Sequence, residues 1–400
     1  MGRVDRQVFY RDPYPRYARA RATPGLTFAG ELDAWLVARH DDVREVLSRP
    51  GDFSSKGALR PDVIPGPRAL AELAGVPGGA PVVLSSDGEA HQRYRRPLTR
   101  GLSPAKVAAA LPFVTATAAD LVASFAKSGQ VEWMSAYARP LPAAVIGHLL
   151  GLDPADVPAA IRGGSRAEDL LFTPMTEDEQ VAAARDVAAL RRLLAAHAAG
   201  SGDRDTLTGE LVRALAPGDP TPAERDEISS NVENVMLAGH LTTTALLGSV
   251  LHRLLRDRRQ WELLCERPAE LIPAAIEEAA RYEAPVQGFR RRVTRPLTLA
   301  GTDLAEGETV FVSFASAGRD EAVYERPDVF DITRPRTRHL SFGHGVHGCP
   351  GAFLAREQLR VTLELLAREL PGLRLAREDV VMAPTLIHRA PERLVLTWPT

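Results

Sequence analysis

Cys349 has the setting that most directly suggests chemistry. It closes the run Phe342-Gly343-His344-Gly345-Val346-His347-Gly348-Cys349-Pro350-Gly351, and Pro350 and Gly351 open an amphipathic stretch, GAFLAREQLRVTLELLARELPG. The sulfur therefore falls at a helix N-terminus, where the positive end of the dipole favours the thiolate, the form that ligates metals. Gly343, Gly345 and Gly348 remove side chains from the approach to the sulfur. A flat macrocycle can then lie against the backbone with Phe342 covering it, and amide N–H groups can point at the sulfur. Cys265, in WELLCERP, has none of these neighbours and reads as a core residue.

Glu278 and Arg281, in IEEAARYEAP, stand three apart and share a helical face. If buried they form a bidentate ion pair, and if exposed an ordinary surface pair.

These residues need elements to hold them. Residues 30–50 read as a short strand pair in LDAWLVARH and then a helix, DDVREVLSRP, capped by Asp41 or Asp42. Residues 57–86 are rich in proline and glycine without a clear period, as expected of a long loop over a binding site. Helical periodicity dominates 89–255, with breaks at Pro104, Pro140 and Pro142, near Pro154 and at 200–202. Within it, Thr221 caps a helix that opens at Pro222 and runs for about 35 residues, or about 50 Å. ELIPAAIEEAARYEA predicts a further helix, and FRRRVTRPLTLAG, ETVFVSFAS and the terminal LVLTW predict strands. The chain reads as mainly α with its strands segregated, and no linker divides 1–400.

Composition narrows the class. The hydrophobic share of 45% and charged share of 25% suit a globular protein with a sizeable core, and the net charge of -2 argues against nucleic acid as a partner. Two cysteines cannot build a disulfide framework. The N-terminus lacks a signal peptide's apolar run, and no uncharged apolar stretch of 18 or more stands out as a membrane span. The expectation is a cytoplasmic protein with no membrane attachment.

The run from Phe342 to Gly351 matches every fixed position of the heme-binding signature of the cytochrome P450 family, and the chain resembles that family's bacterial, soluble members from DDVREVLSRP to HRAPERLVLTW. The resemblance implies a triangular helical prism with a small β-rich lobe, formed as a single domain over 1–400. It implies heme b (iron protoporphyrin IX) ligated by Cys349, with Phe342, Gly343 and Gly351 around it. Glu278 and Arg281 resemble the family's ExxR pair, tied to a meander in FDITRPR with Arg334 as a third member. His91 and Arg95, together with His347 and Arg291, are the implied partners of the heme propionates; Arg290 and Arg292 alternate to the other strand face, one position away.

Ala238-Gly239-His240-Leu241-Thr242-Thr243 resembles the family's oxygen-binding segment. There Ala238 and Gly239 leave room for dioxygen, the cosubstrate. Thr242 organises proton delivery, its hydroxyl bonding one turn back and loosening the helix. Leu241 departs from the pattern, which usually has an acid there. Water, a substrate group or His240 relays protons instead, or the relay is less needed, as in a peroxygenase or an oxidative coupling enzyme. Gly318, where asparagine is common, is a departure that affects packing.

The implied function is monooxygenation, by hydroxylation or a related oxidation, of a small, largely apolar molecule in natural-product biosynthesis. Electrons come from NAD(P)H through a ferredoxin reductase and a ferredoxin, docked near Arg93, Arg96 and Arg356, and the protein acts as a monomer. Pocket walls are expected from the loop at 63–83, ending at Val83, and from Leu171, Phe172, Leu237, Ala238, Leu241, Val286, Phe289, Leu386 and Ile387. A heme sensor or carrier without enzymatic activity is the remaining alternative.

Overall fold

The computed structural model describes residues 8–335 and 338–400. Its contacts gather into two compact units. The first comprises the described residues of Met1–Ser55, Leu111–Pro142 and Leu241–Thr400, and the second Lys56–Ala110 and Ala143–His240.

The described strands all belong to the first unit. A five-stranded sheet runs in the order Thr27–Ala29, Ala34–Val37, Thr309–Ser313, Gly288–Val293, Phe53–Ser54, parallel only between Ala34–Val37 and Thr309–Ser313. Val310 and Val312 alternate with their neighbours and send one face into a cluster with Val37, Val43, Phe53, Val293, Phe314 and Leu340. Leu340 carries that core to the threshold of the cysteine loop. Gln130–Glu132, Val395–Thr397 and Arg374–Leu375 make a second sheet, and Leu297–Leu299 pairs with Thr302–Leu304.

The second unit is helical among its described residues, with helices Pro67–Leu73, Gly88–Gly101, Val157–Phe172, Glu177–Ala199 and Leu207–Leu215. Thr176 and Glu179 form a reciprocal capping box that starts the fourth of these. The close approach of the third and fourth depends on Gly163, where a Cβ would lie 2.5 Å from Leu190 Cβ.

The long helix, Pro222–Arg256, contributes to both units, the division falling between His240 and Leu241. Its start follows the expectation: the Thr221 amide donates to Glu224 Oε2 at 2.8 Å, and the Glu224 amide to Thr221 Oγ1 at 3.3 Å.

Several expectations are corrected. Helix His40–Ser48 has Arg39 at its N-cap, and Asp41 and Asp42 lie in the first turn, where they favour the dipole without capping. The stretch 57–86 is not all loop: Pro67–Leu73 is a helix and Val83–Ser85 a 3₁₀ turn, both too short to register a period. The strand at ETVFVS ends at Ser313, whose hydroxyl accepts from the Ser316 amide and turns Phe314–Ala317 into a helical turn. Strand Gln130–Glu132 and the π turn Met134–Ala138 carry no sequence signal strong enough to find them. By length and composition two helices are apolar enough to cross a bilayer, Pro104–Phe125 and Pro222–Arg256. The most apolar window of the second is 72% buried, as in the core helix of a soluble protein, while that of the first is 28% buried.

Candidate functional site

In the first unit the cysteine loop is shaped by backbone geometry that glycine permits. Gly343 (φ 72°) and Gly345 (φ 66°) are left-handed. A Cβ on Gly345 would also meet the Leu47 carbonyl oxygen at 2.7 Å, so the loop is pressed onto helix His40–Ser48. The loop closes on itself as the Gly343 amide donates to Leu340 O (2.8 Å), the Gly348 amide to Gly345 O (3.1 Å) and the Cys349 amide to Phe342 O (2.7 Å). The amides of 348 and 349 thus serve the loop's own carbonyls.

Cys349 is exposed. The helix that follows is Ala352–Glu369, with Gly351 at its N-cap, and a Cβ on Gly351 would sit 3.9 Å from the Cys349 sulfur. The thiol therefore stands at a positive helix end with no side chain beside it at 351. No group of three or more His, Cys, Asp or Glu side chains among the described residues could hold a metal ion. An accessible thiolate donor of this kind fits a metal group that brings its own in-plane ligands, as heme does. Cys265 differs: burial pushes its pKa up to about 11, an inert half-buried thiol.

His347 faces Ser55, with Nε2 2.9 Å from the buried hydroxyl. Arg291 is buried in strand Gly288–Val293, and its Nη1 donates to Arg290 O at 2.9 Å. Arg290 is buried as well, so the expected alternation of faces holds only for Arg292, which is exposed.

The Glu278–Arg281 pair is buried and bidentate, Nε to Oε2 and Nη2 to Oε1 both at 2.7 Å. Arg334 joins it at 3.3 Å, and Arg281 Nη1 donates to the carbonyls of Gly318 (2.6 Å) and Pro327 (2.9 Å). A Cβ at Gly318 would lie 2.4 Å from the Arg281 carbonyl oxygen, which makes the absent asparagine a matter of packing, as expected.

In the second unit His91 and Arg95 lie one turn apart on helix Gly88–Gly101. Burial, and then the Arg95 charge, lower the pKa of His91. An anion set against the pair would offset that repulsion, which suits a propionate. On the long helix Ala238 is exposed and His240 buried, whereas the missing side chain of Gly239 is filled by Ile146, whose Cδ1 would be 2.7 Å from a Cβ there. Gly239 therefore serves helix packing, and Ala238 is the small residue that leaves open space. Thr242 is half-buried, within helix Pro222–Arg256.

The expected pocket residues separate by environment. Val83 is held to the long helix by its amide, which donates to Asn231 Oδ1 at 3.1 Å; the amides of Gly78 and Ala80 donate likewise to Asp226 Oδ1 and Ser230 Oγ. Leu171, beside Phe172, accepts from the amides of Asp62 and Val63 through its carbonyl. Leu237 is half-buried against Gly164, and Leu241 is half-buried. Val286 and Phe289 pack partly against the sheet core, and the Gln287 amide between them donates to Leu386 O at 2.8 Å. Ile387 is half-buried, and Leu386 is buried in a core cluster with Phe9, Tyr10 and Phe311. Of the expected docking arginines, Arg93 pairs with Glu227 and Arg356 with Glu277, which leaves Arg96 exposed.

Sequence reasoning missed Ser55, Ile146, Asn231 and Glu277. Glu277 was in view as the neighbour of Glu278, but nothing local distinguishes it from a solvated charge.

Comparison with known proteins agrees with the loop. A family model described as Cytochrome P450 matches residues 201–370. The chain is 32% identical to Cytochrome P450 107B1 of Saccharopolyspora erythraea over 97% of its own length and 95% of that protein. It is 34% identical to Nocardicin C N-oxygenase of Nocardia uniformis subsp. tsuyamanensis, covering 97% and 96%. The solved structure of cytochrome P450 CREJ in complex with (4-ethylphenyl) dihydrogen phosphate superimposes with a TM-score of 0.90 at 29% identity, covering 98% of each chain.

Proposed function

The chain belongs to the cytochrome P450 family, a monooxygenase with heme b as cofactor and dioxygen as cosubstrate, and from that premise we propose that it oxidises, most simply by hydroxylation, a small and largely apolar molecule in natural-product biosynthesis. A relative named for N-oxygenating nocardicin C supports the place in natural-product biosynthesis. Electrons reach it from NAD(P)H through a ferredoxin reductase and a ferredoxin, and it works as a cytoplasmic monomer with residues 1–400 serving as one catalytic domain.

The observation that carries the reading is the exposed Cys349 sulfur at the helix N-terminus, in a loop fixed by two left-handed glycines. Cys349 donates the thiolate, and Phe342, Gly343 and Gly351 shape its surroundings. His91, Arg95, Arg291 and His347 take the propionate charge. The heme, when bound, would supply oxygen activation, with Cys349 as its electron-donating thiolate. Thr242 holds the water that passes protons, with His240 adjacent, and Ala238 keeps space beside it. Leu237, Leu241, Val83, Leu171, Phe172, Val286, Phe289 and Ile387 present an apolar lining that orients substrate and excludes bulk water.

Two measurements test this. Reduced protein under carbon monoxide should give the thiolate-type difference band, and Cys349→His should abolish it. Product should form with NADH, ferredoxin and reductase. Leu241 favours a second reading, a peroxygenase or coupling enzyme: product formed with hydrogen peroxide but not with the redox partners would establish it in place of the first.

A further inference from the structure

Glu277 precedes the buried Glu278 on helix Pro268–Tyr282 but holds a different part of the chain. Arg356, seven residues after Cys349, binds it through both arms, Nε to Oε1 at 2.6 Å and Nη2 to Oε2 at 2.9 Å. His339 approaches the same carboxylate, Nε2 to Oε2 at 3.1 Å, and its Nδ1 accepts from the Ser341 amide at 3.2 Å, which fixes the tautomer with Nε2 as donor. Ser341 in turn donates through Oγ to Ala280 O at 2.6 Å. One carboxylate thus fastens the chain just before the cysteine loop and the helix just after it.

The guanidinium is also placed on the loop itself. Arg356 Cζ lies 4.3 Å from the centre of the Phe342 ring, within cation–π range, and the Phe342 carbonyl is the one that accepts from the Cys349 amide. Burial alone would raise the Glu277 pKa, but the bonds from Arg356 and His339 bring it down to about 2, so the carboxylate stays charged. The pKa of Arg356 is raised chiefly by its hydrogen bond to Glu277, and Cys349 adds to it electrostatically.

We infer that Glu277 and Arg356 form a charge clamp that sets the electronic environment of the Cys349 sulfur, Glu277 acting as a positioning residue through Arg356 and Phe342; the inference rests on the heme-thiolate reading above. A cation near the sulfur favours the electron-rich ferrous state, and the carboxylate partly cancels it. Removing either partner should therefore move the ferric–ferrous balance in opposite directions. A purely structural brace gives no such sign.

The test is the reduction potential of purified holoprotein, with the carbon monoxide band and melting temperature measured alongside. Glu277→Gln should shift the balance at a fixed potential towards ferrous by about three- to tenfold, and Arg356→Gln towards ferric by a similar factor. The double variant should return near wild type. Should Glu277→Gln not fold, Arg356→Gln against the charge-preserving Arg356→Lys decides alone: the first must shift the balance and the second must not. Shifts of the same sign, or no shift while stability falls, overturn the clamp. A wild type lacking the thiolate band overturns the heme-thiolate reading and the clamp with it.

Discussion

Gly239 packs face to face with Ile146, so tightly that a Cβ on the glycine would sit 2.7 Å from Ile146 Cδ1 and 3.3 Å from its Cβ. Of the two small residues expected to leave room for a ligand, Gly239 is therefore a helix-packing residue.

Gly239→Ala should destabilise the protein by about 1–3 kcal/mol, because Ile146 must leave its rotamer, and Ile146→Val in the same chain should recover part of that loss. Ala238→Val should leave thermal stability within about 0.5 kcal/mol while weakening ligand-induced Soret shifts. Thermal melts and spectral titrations of the three variants check both statements; an unmoved melting temperature for Gly239→Ala would contradict the packing.

Breaking the buried Glu278–Arg281 pair leaves a charge without its partner in the interior, and Glu278→Gln or Arg281→Met alone should cost about 3–5 kcal/mol by urea denaturation. The loss should also be seen in protein prepared without heme, since the pair joins helix to meander independently of any ligand.

His252 is buried with neither ring nitrogen hydrogen-bonded among the described residues. Burial, reinforced by Arg253 and Arg256 and opposed by Glu283, lowers its pKa from 6.5 to about 4. Between those values the unfolded chain binds the proton and the folded one does not, so stability falls as pH drops from 6.5 to 4. The span amounts to roughly 2–3 kcal/mol, and His252→Phe should flatten it. A slope unchanged in that variant would assign the pH dependence elsewhere.

Thr242→Ala should raise the share of reducing equivalents lost as peroxide and lower product formation by about a hundredfold at unchanged substrate affinity. If coupling stays at the wild-type value, Thr242 does not guide protons. Leu241→Asp, which puts an acid one residue away, should then be compared for any gain in coupling.

What the sequence disclosed followed the range over which each feature is encoded. The cysteine run, the Thr221–Glu224 cap and the Glu278–Arg281 pair lie within ten residues or fewer, so spacing alone exposes them. Ser55 against His347 spans 292 residues, and Gly345 against Leu47 and Glu277 against Arg356 are likewise joined only by tertiary folding. Leu386 and Ile387 are adjacent and both apolar, and only packing tells that the first is core. The helix Pro67–Leu73 went unseen because seven residues cover two turns, too few for a period to stand out from a Pro/Gly-rich background.

The moorings named for the cysteine loop, at Leu47, Ser55, Ala280 and Glu277, all sit in the unit that carries the sheets. For recombination this marks a seam. A chimera that trades residues 143–240 for a relative's keeps those moorings native, whereas transplanting 339–356 by itself would set a foreign loop against all four.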